Sequence, residues 1–311
     1  MNLPKPVRLF GSESQPMTTN TSKISVVVAS HNAVATIDHS LSALVAQRQD
    51  SDAEILVVDN STDGTADLVR TRFPDLKLIL QTPFALIPEL WRVGILQSTG
   101  AIVAITTAHF VPDKEWLSEI LKAHEASVPA VGGAIENDGC ARVVDWALYF
   151  CRYSPYMLPF REGFVPEIAG DNASYKRESI DRFQHAWRDG FWEPAVHREL
   201  KNAGFRLLLS PSIIVHHQRS FDFLSFIKQR FQHGVQFGRE RAARFSVAKR
   251  MLYIVLSPAI PFIFLARITR QVANKQRHQA RLLQAIPLLL LFLSAWAVGE
   301  LFGYLRGPRI K

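Results

Sequence analysis

The chain has 311 residues, of which 48% are hydrophobic and 21% are charged. These proportions exclude an intrinsically disordered protein and leave room for one large or two small domains. The net charge of +8 is unevenly spread, because residues 219–311 hold 16 Lys and Arg against 3 Asp and Glu. Long apolar runs accompany this basic tail, so its pattern favours a lipid surface as partner and argues against nucleic acid.

The first 22 residues are polar, rich in Pro, Ser and Thr, and lack the apolar core of a secretory signal peptide. We therefore interpret residues 1–22 as a flexible leader and expect the part that follows to lie in the cytosol. Two cysteines, Cys140 and Cys151, are too few to indicate a disulfide framework.

Strands and helices are predicted to alternate along the first half of the chain. Apolar runs predict strands at 23–29, 55–59, 76–80, 101–106 and 130–135. Helical spacing predicts helices at 34–47, 65–72, 88–99 and 113–125, the last capped by Asp113. This alternation is typical of a parallel sheet with helices on both faces.

Polar clusters follow the first two predicted strands, at Ser30-His31-Asn32 and at Asp59-Asn60-Ser61. The carboxyl ends of parallel strands meet at one edge of a sheet, where open α/β sheets bind ligands. We therefore expect the two clusters to face one crevice. The alternative is an ordinary junction in which Asp59 or Ser61 caps the next helix.

Six segments carry a resemblance to a known family. They are SVVVASHN (25–32), VVDNSTDGT (57–65), FVPDKEWL (110–117), GGAIEN (132–137), GDNASYKRE (170–178) and FWEPAVHRELKNAGFRL (191–207). In this order and spacing they resemble the family-2 glycosyltransferases of GT-A fold, a Rossmann-like α/β fold. The resemblance covers residues 23–218 and implies a nucleotide-binding half at 23–135 and an acceptor half at 136–218.

The resemblance implies that the first two strand ends hold the nucleotide of a UDP- or GDP-sugar. Ala29 and His31 would flank the base, and Asp59 would accept hydrogen bonds from base or ribose, which a charged acceptor strengthens. His31 has an alternative interpretation as a turn residue.

The resemblance also implies contacts with the sugar and the acceptor. Glu136 and Asn137 follow the fifth predicted strand, and Asp171 and Asn172 suit the recognition of hydroxyl groups, with Gly170 allowing close backbone approach. Turns at the ends of strands explain the same residues, and both interpretations stay open.

The metal motif of the family departs from its usual form. Where the family places Asp-x-Asp, this chain has Thr107-Ala108-His109, and Mg²⁺ prefers carboxylates. His109 could ligate Mn²⁺ together with His216 or His217. Alternatively the enzyme is metal-independent, with Lys176 and Arg177 neutralising the leaving diphosphate, or catalysis has been lost.

Glu193 aligns with the catalytic carboxylate of the family. Inverting transfer needs a general base for the acceptor hydroxyl, and a carboxylate between Trp192 and Pro194 would have a raised pKa suited to that task. A Glu favoured at the start of a helix by the helix dipole is the alternative.

The C-terminal part is predicted to meet a membrane. Residues 219–250 fit an amphipathic helix in the membrane interface, or one packed on the catalytic domain. Within 251–311, the run 251–266 has no charge and the run 282–305 has one, Glu300. About 20 apolar residues span a bilayer. We expect two spans with the basic connector outside; a re-entrant first run with the connector inside is the alternative.

These observations predict an inverting glycosyltransferase anchored at the cytoplasmic face of a membrane. Its donor would be a nucleotide-diphosphate sugar and its acceptor a lipid-linked or other membrane-proximal molecule, as in polysaccharide or glycolipid synthesis. The alternative is a catalytically silent GT-A domain that serves as a nucleotide-sugar sensor or scaffold.

Overall fold

A computed structural model describes residues 23–137, 142–218 and 223–307. Some residues with predictions lie outside the described ranges: the leader 1–22, Cys140, the start of the predicted amphipathic helix at 219–222 and the C-terminal residues 308–311.

The described residues form nine strands and eleven α-helices. The strands are β1 (Ile24–Ser30), β2 (Ala53–Asp59), β3 (Lys77–Leu80), β4 (Ile102–Thr107), β5 (Phe110–Pro112), β6 (Ala130–Glu136), β7 (Gly163–Val165), β8 (Ala173–Lys176) and β9 (Leu207–His217). The helices are α1 (Ile37–Val45), α2 (Thr65–Arg72), α3 (Ile87–Gln97), α4 (Trp116–Ala123), α5 (Val143–Tyr153), α6 (Arg177–Asp181), α7 (Glu193–Asn202), α8 (Phe223–Ala242), α9 (Val247–Leu256), α10 (Ile260–Asn274) and α11 (Gln279–Arg306).

All nine strands belong to one sheet, in the order β3-β2-β1-β4-β8-β6-β9-β5, with β7 paired to β9. Six strands run in one direction, whereas β5, β7 and β8 run against them. The predicted mostly parallel α/β sheet is therefore confirmed, with one antiparallel strand, β8, inserted at its centre.

The apolar runs form strands because both faces of the sheet are covered. All seven residues of β1 are buried. Val26 and Val28 pack against one hydrophobic core, while Val27 and Ala29 pack against a second core on the opposite face. This alternation places helices on both sides, as predicted.

Helix α4 begins later than predicted, because a short strand precedes it. Phe110–Pro112 pairs with β9 as strand β5, so the helix starts at Trp116. The carboxylate of Asp113 accepts a hydrogen bond from the amide of Lys114 and does not cap the helix, so that prediction is wrong.

Helix α8 packs in parallel along the C-terminal half of α11. Two pairs of glycines form the contact: Gly234 and Gly238 of α8, and Gly299 and Gly303 of α11. A Cβ atom at Gly299 would overlap the carbonyl oxygen of Phe231. Small residues spaced four apart allow this close backbone approach, as they do between membrane helices.

Two C-terminal segments are long and apolar enough to cross a membrane, Val247–Asn274 and Gln279–Arg306. The first runs through α9, one 3₁₀ turn at Ser257–Ala259 and α10. Pro258 and Pro261 thus lie within a continuous helical course. Residues 251–266 are therefore helical throughout, and their arrangement relative to a membrane stays a prediction.

The turn between α10 and α11 is bound to the α/β part. Arg277 donates to both carboxylate oxygens of Glu136 at 3.0 and 3.1 Å, and Lys275 donates to the carbonyls of Pro155 and Met157. A buried carboxylate needs such a cationic partner. The expected external position of the connector is therefore wrong, because the connector contacts the α/β part; the two spans themselves stay a prediction.

Candidate active site

A cavity of about 220 Å³ lies beside the carboxyl ends of β4 and β9. Its walls come from α3, from the segment that joins β4 to β5, from the end of α5, from the start of α7 and from the middle of α8. Its polar lining includes Thr107, His109, Arg152, Tyr153, Asp171, Glu193, His217, Gln229 and His233. The site is thus built where parallel sheets bind ligands.

Glu193 is the first residue of α7 and lines this cavity. The backbone amides of Glu193 itself and of Gly170 act on its carboxyl group and lower its pKa. A Cβ atom at Gly170 would lie 2.6 Å from Oε1 of Glu193 and 2.9 Å from Cη2 of Trp91. Glycine is therefore needed at position 170 for the carboxylate to sit between these groups.

The surroundings of Glu193 suit proton transfer. Desolvation, followed by the negative charge of Asp171, raises the pKa of Glu193 to about 7, against the lowering effects of backbone hydrogen bonds and of Arg152. A carboxylate with a pKa near the working pH is suited to general base catalysis.

Asp171 is held in place by its neighbours on α5. Its Oδ2 accepts a 2.7 Å hydrogen bond from the hydroxyl of Tyr153 and a 3.3 Å bond from Nη2 of Arg152. Its carbonyl accepts from the hydroxyl of Thr106. Asp171 therefore remains beside Glu193, where its charge acts on the neighbouring carboxyl group.

The pH profile should report this arrangement. A general base must be deprotonated, so we expect kcat/KM to fall as the pH drops below about 7. Asp171→Asn removes the negative charge that raises the pKa of Glu193 and should move this acidic limb to lower pH. Initial rates between pH 5 and 9 check both statements; a limb that stays in place in Asp171→Asn would contradict the coupling.

The ends of β1 and β2 lie together, as expected, with Ser30 opposite Asp59. Asp59 is 1% exposed, and its carboxylate accepts from the hydroxyl of Ser61 at 2.5 Å and from the Ser61 amide at 3.2 Å. Neither side chain caps α2, whose N-cap is Gly64, so the alternative interpretation of a capping residue is wrong. The predicted contact with a base or ribose stays a prediction.

The other two residues predicted at the nucleotide lie beside Asp59. Nδ1 of His31 lies 2.8 Å from Oδ1 of Asn60, and its ring meets the edge of Phe84. Ala29 is buried within the sheet, and its carbonyl accepts from the amide of Ala108.

Of the four residues predicted for sugar and acceptor, Asp171 lines the cavity. Asn172 donates to the carbonyls of Ala134 and Ile213 and accepts from Nε1 of Trp116, so its side chain joins strands and is not placed for a sugar. Glu136 is engaged by Arg277, as described above. Asn137 is buried, and its amide has no hydrogen-bond partner among the described residues.

Lys176 and Arg177 lie near the amino ends of the parallel strands, whereas the cavity lies beside their carboxyl ends. Because β8 is antiparallel, Lys176 stands opposite Ile102, the first residue of β4. Lys176 donates to the carbonyl of Ala126, and Arg177 donates to the carbonyl of Gly100 and the hydroxyl of Ser98. Their predicted role at the diphosphate is therefore wrong.

His109 lines the cavity, with Nδ1 at 3.1 Å from the hydroxyl of Thr36. His217 lines it too, whereas His216 does not. Within the described ranges, no group of three His, Cys, Asp or Glu side chains is placed to hold a metal ion. Thr107, Ala108 and His109 supply no carboxylate, so this segment does not fit Mg²⁺ as the acidic motif of the family would.

The sequence predicts an aromatic cover for the acceptor from residues 146–160, but the polar side chains that α5 and α8 contribute to the cavity were missed. Arg152 and Tyr153 lie at the end of α5, and Gln229 and His233 of α8 complete one wall. The i, i+4 spacing of Gln229 and His233 could have shown that they share one helix face. Which partner that face meets depends on the packing of α8 against α11, which local spacing does not reveal.

The sequence of this chain is similar to that of known proteins. The sequence model of the family described as Glycosyl transferase family 2 matches residues 25–183, about half of the chain. Glycosyltransferase AglE of Haloferax volcanii is 31% identical over 126 residues, a stretch that covers 39% of this chain and 41% of that relative. The match thus spans about two fifths of the relative's length.

A solved structure supports the fold over most of the chain. It is the mannosyltransferase PcManGT from Pyrobaculum calidifontis in complex with GDP-Man and Mn²⁺. The match has a TM-score of 0.55 and 21% sequence identity, and it covers 88% of this chain and 86% of the other. At this identity the likeness establishes the GT-A fold alone.

Proposed function

This chain belongs to glycosyl transferase family 2, and from that membership we propose that it transfers a sugar from a nucleotide-diphosphate donor to an acceptor hydroxyl with inversion. The observation that carries the proposal is Glu193, a carboxyl group with a pKa of about 7 in a cavity at the carboxyl edge of the sheet. The donor would be a UDP- or GDP-sugar, held by the ends of β1 and β2 through Ala29, His31 and Asp59.

The proposed reaction is a single displacement. Glu193 takes the proton of the acceptor hydroxyl while the hydroxyl oxygen forms a bond to the anomeric carbon of the sugar. The bond from that carbon to the diphosphate oxygen breaks, and its electron pair leaves with the nucleoside diphosphate. Asp171 is positioned to raise the basicity of Glu193 and to contact the hydroxyl groups of the sugar or acceptor.

The acceptor is proposed to be membrane-proximal. Large apolar side chains point outward from α9, α10 and α11, among them Val247, which is 77% exposed, and Phe262, at 66%. Contiguous exposed apolar surface of this kind marks contact with lipid or protein. An enzyme bound to a bilayer meets a lipid-linked acceptor at high effective concentration. The α/β part and the α10–α11 turn would lie together on the cytoplasmic side.

These features also give the proposed organisation of the chain. Residues 23–218 would form the GT-A domain, with its nucleotide-binding half at 23–135 and its acceptor half at 136–218. Residues 219–250 and 251–311 would form the membrane-facing part.

The second candidate is a catalytically silent sensor or scaffold. The observation in its favour is Thr107-Ala108-His109 at the position of the acidic metal motif. A silent domain would have no need of a general base, so the placement of Glu193 in the cavity favours the enzyme.

We expect turnover to survive removal of divalent metals, because the cavity lacks a fitting set of carboxylates. The full chain, purified in detergent, would be incubated with radiolabelled UDP- and GDP-sugars and a lipid extract, with EDTA or with Mn²⁺. Sugar transfer that EDTA leaves unchanged supports the metal-independent enzyme. Transfer that requires Mn²⁺ would contradict metal independence, and the absence of both transfer and donor hydrolysis would favour the silent domain.

A further inference from the structure

With Lys176 and Arg177 placed near the amino ends of the parallel strands, other cations must face the phosphates of the substrate. Arg152 is the first of them. It lines the cavity, and its side chain is 32% exposed. Among the described residues it donates one hydrogen bond, to Asp171, although a guanidinium carries five N–H donors. Several donors are therefore left to face the cavity.

Arg230 of α8 is the second cation. It stands between Gln229 and His233 on α8; those two residues line the cavity, whereas Arg230 is not part of the lining. Its guanidinium carbon lies 4.3 Å from the ring centre of Trp296. Its Nε is buried with no hydrogen-bond partner in the part of the chain that the structure describes. An unpaired buried donor of this kind calls for a ligand acceptor.

Desolvation lowers the pKa of the Arg230 guanidinium, and the positive charge of Arg152 lowers it further. Asp171 compensates one of the two positive charges, through its ion pair with Arg152. The deprotonated Glu193 offsets the second positive charge. When Glu193 takes up a proton, no other negatively charged side chain of the cavity lining offsets that charge. Positive charge at this wall thus increases during the step in which a phosphate leaving group would gain negative charge, and preorganised positive charge stabilises such a step.

We propose that Arg152 and Arg230 together bind a phosphate group of the substrate, on the side of the cavity formed by α5 and α8. This inference rests on the proposed function and deepens it. Guanidinium groups suit phosphate oxygens because their N–H donors match the oxygen spacing. The phosphate comes from one of two sources: the diphosphate of the donor or the phosphate of a lipid-linked acceptor.

Binding measurements on the full chain in detergent test the proposal. The probes are GDP, UDP and farnesyl phosphate, each compared with its phosphate-free counterpart: guanosine, uridine or farnesol. The variants are Arg230→Gln and Arg152→Gln, with Arg152→Lys to keep a charge beside Asp171. Lys228→Gln is the matched control, because Lys228 is an exposed basic residue of the same helix, whereas Nε of Arg230 is buried.

We expect each arginine-to-glutamine change to weaken phosphate binding about tenfold to a hundredfold, since a charged hydrogen bond is lost. Binding of the phosphate-free probes should not change, and Arg152→Lys should recover part of the loss. Weakened GDP or UDP binding assigns the site to the donor diphosphate. Weakened farnesyl phosphate binding alone assigns it to the lipid phosphate.

Wild-type affinity for every phosphate probe in both arginine variants would overturn the proposal, as would an equal loss in Lys228→Gln. The same holds if the wild-type protein binds none of these probes. The transfer assay separates this result from the proposed function. If the wild-type protein transfers sugar and both arginine variants bind the phosphate probes as the wild type does, only the phosphate site is refuted. Loss of phosphate binding in the variants of a protein that transfers nothing supports the site and refutes the enzyme.

Discussion

We expect Glu193→Gln to lower kcat by about 10²- to 10⁴-fold, the usual contribution of a general base. The amide keeps the shape of the carboxyl group and fits the same space beside Gly170. It cannot take up the proton of the acceptor. Because Glu193 does not hold the nucleotide in the proposed geometry, affinity for UDP or GDP should be unchanged. Single-turnover rates and calorimetric titrations measure the two quantities separately.

Glu199→Gln is the matched control for this experiment. Glu199 lies on the same helix, α7, and pairs with surface residues such as His185 at 3.9 Å. It does not line the cavity, so its activity should remain that of the wild type. Full activity in Glu193→Gln would remove Glu193 as the base, and equal losses in both variants would indicate damage to α7.

The second large effect is expected where α8 meets α11. In Gly299→Leu, the new side chain must occupy the space of the Phe231 carbonyl oxygen, which neither helix can vacate without separating from the other. Overpacking costs about 1–3 kcal/mol, and we expect the upper end of that range, because backbone atoms are in the way. Thermal unfolding in detergent should therefore begin several degrees lower, and activity should fall as Gln229 and His233 leave the cavity wall.

Gly163→Ala gives the comparison. A Cβ atom at Gly163 would meet no atom within 4 Å. The added methyl group of Gly163→Ala should therefore leave the unfolding temperature and the activity close to those of the wild type. If Gly299→Leu behaved in the same way, α8 and α11 would not be in contact as described.

The apolar strands were predictable because their sequence pattern is local. β1, β2, β4 and β6 each form within a residue or two of their apolar runs, since burial on both faces leaves no other place for those side chains. β8 was not predictable in this way. Its four residues, Ala173–Lys176, gain their position from pairing with β4 and β6, strands distant in sequence.

The errors in the candidate site follow from that missing strand. An antiparallel β8 carries Lys176 away from the cavity, while Asp171, just before the strand, stays beside Glu193. Glu193 could be identified from its local segment. The roles of three arginines could not be identified in this way: Arg152, Arg230 and Arg277. Each acts on a group that comes near it only after α5, α8 and the α10–α11 turn have packed.

The glycine contact between α8 and α11 also limits how this chain can evolve. One helix supplies part of the cavity wall and the other much of the apolar surface, and neither tolerates a larger side chain at the contact unless its partner yields space. The two segments are about 60 residues apart in sequence, yet substitutions in them must be matched to one another. An exchange of C-terminal helices between relatives would therefore succeed only if α8 and α11 were inherited together.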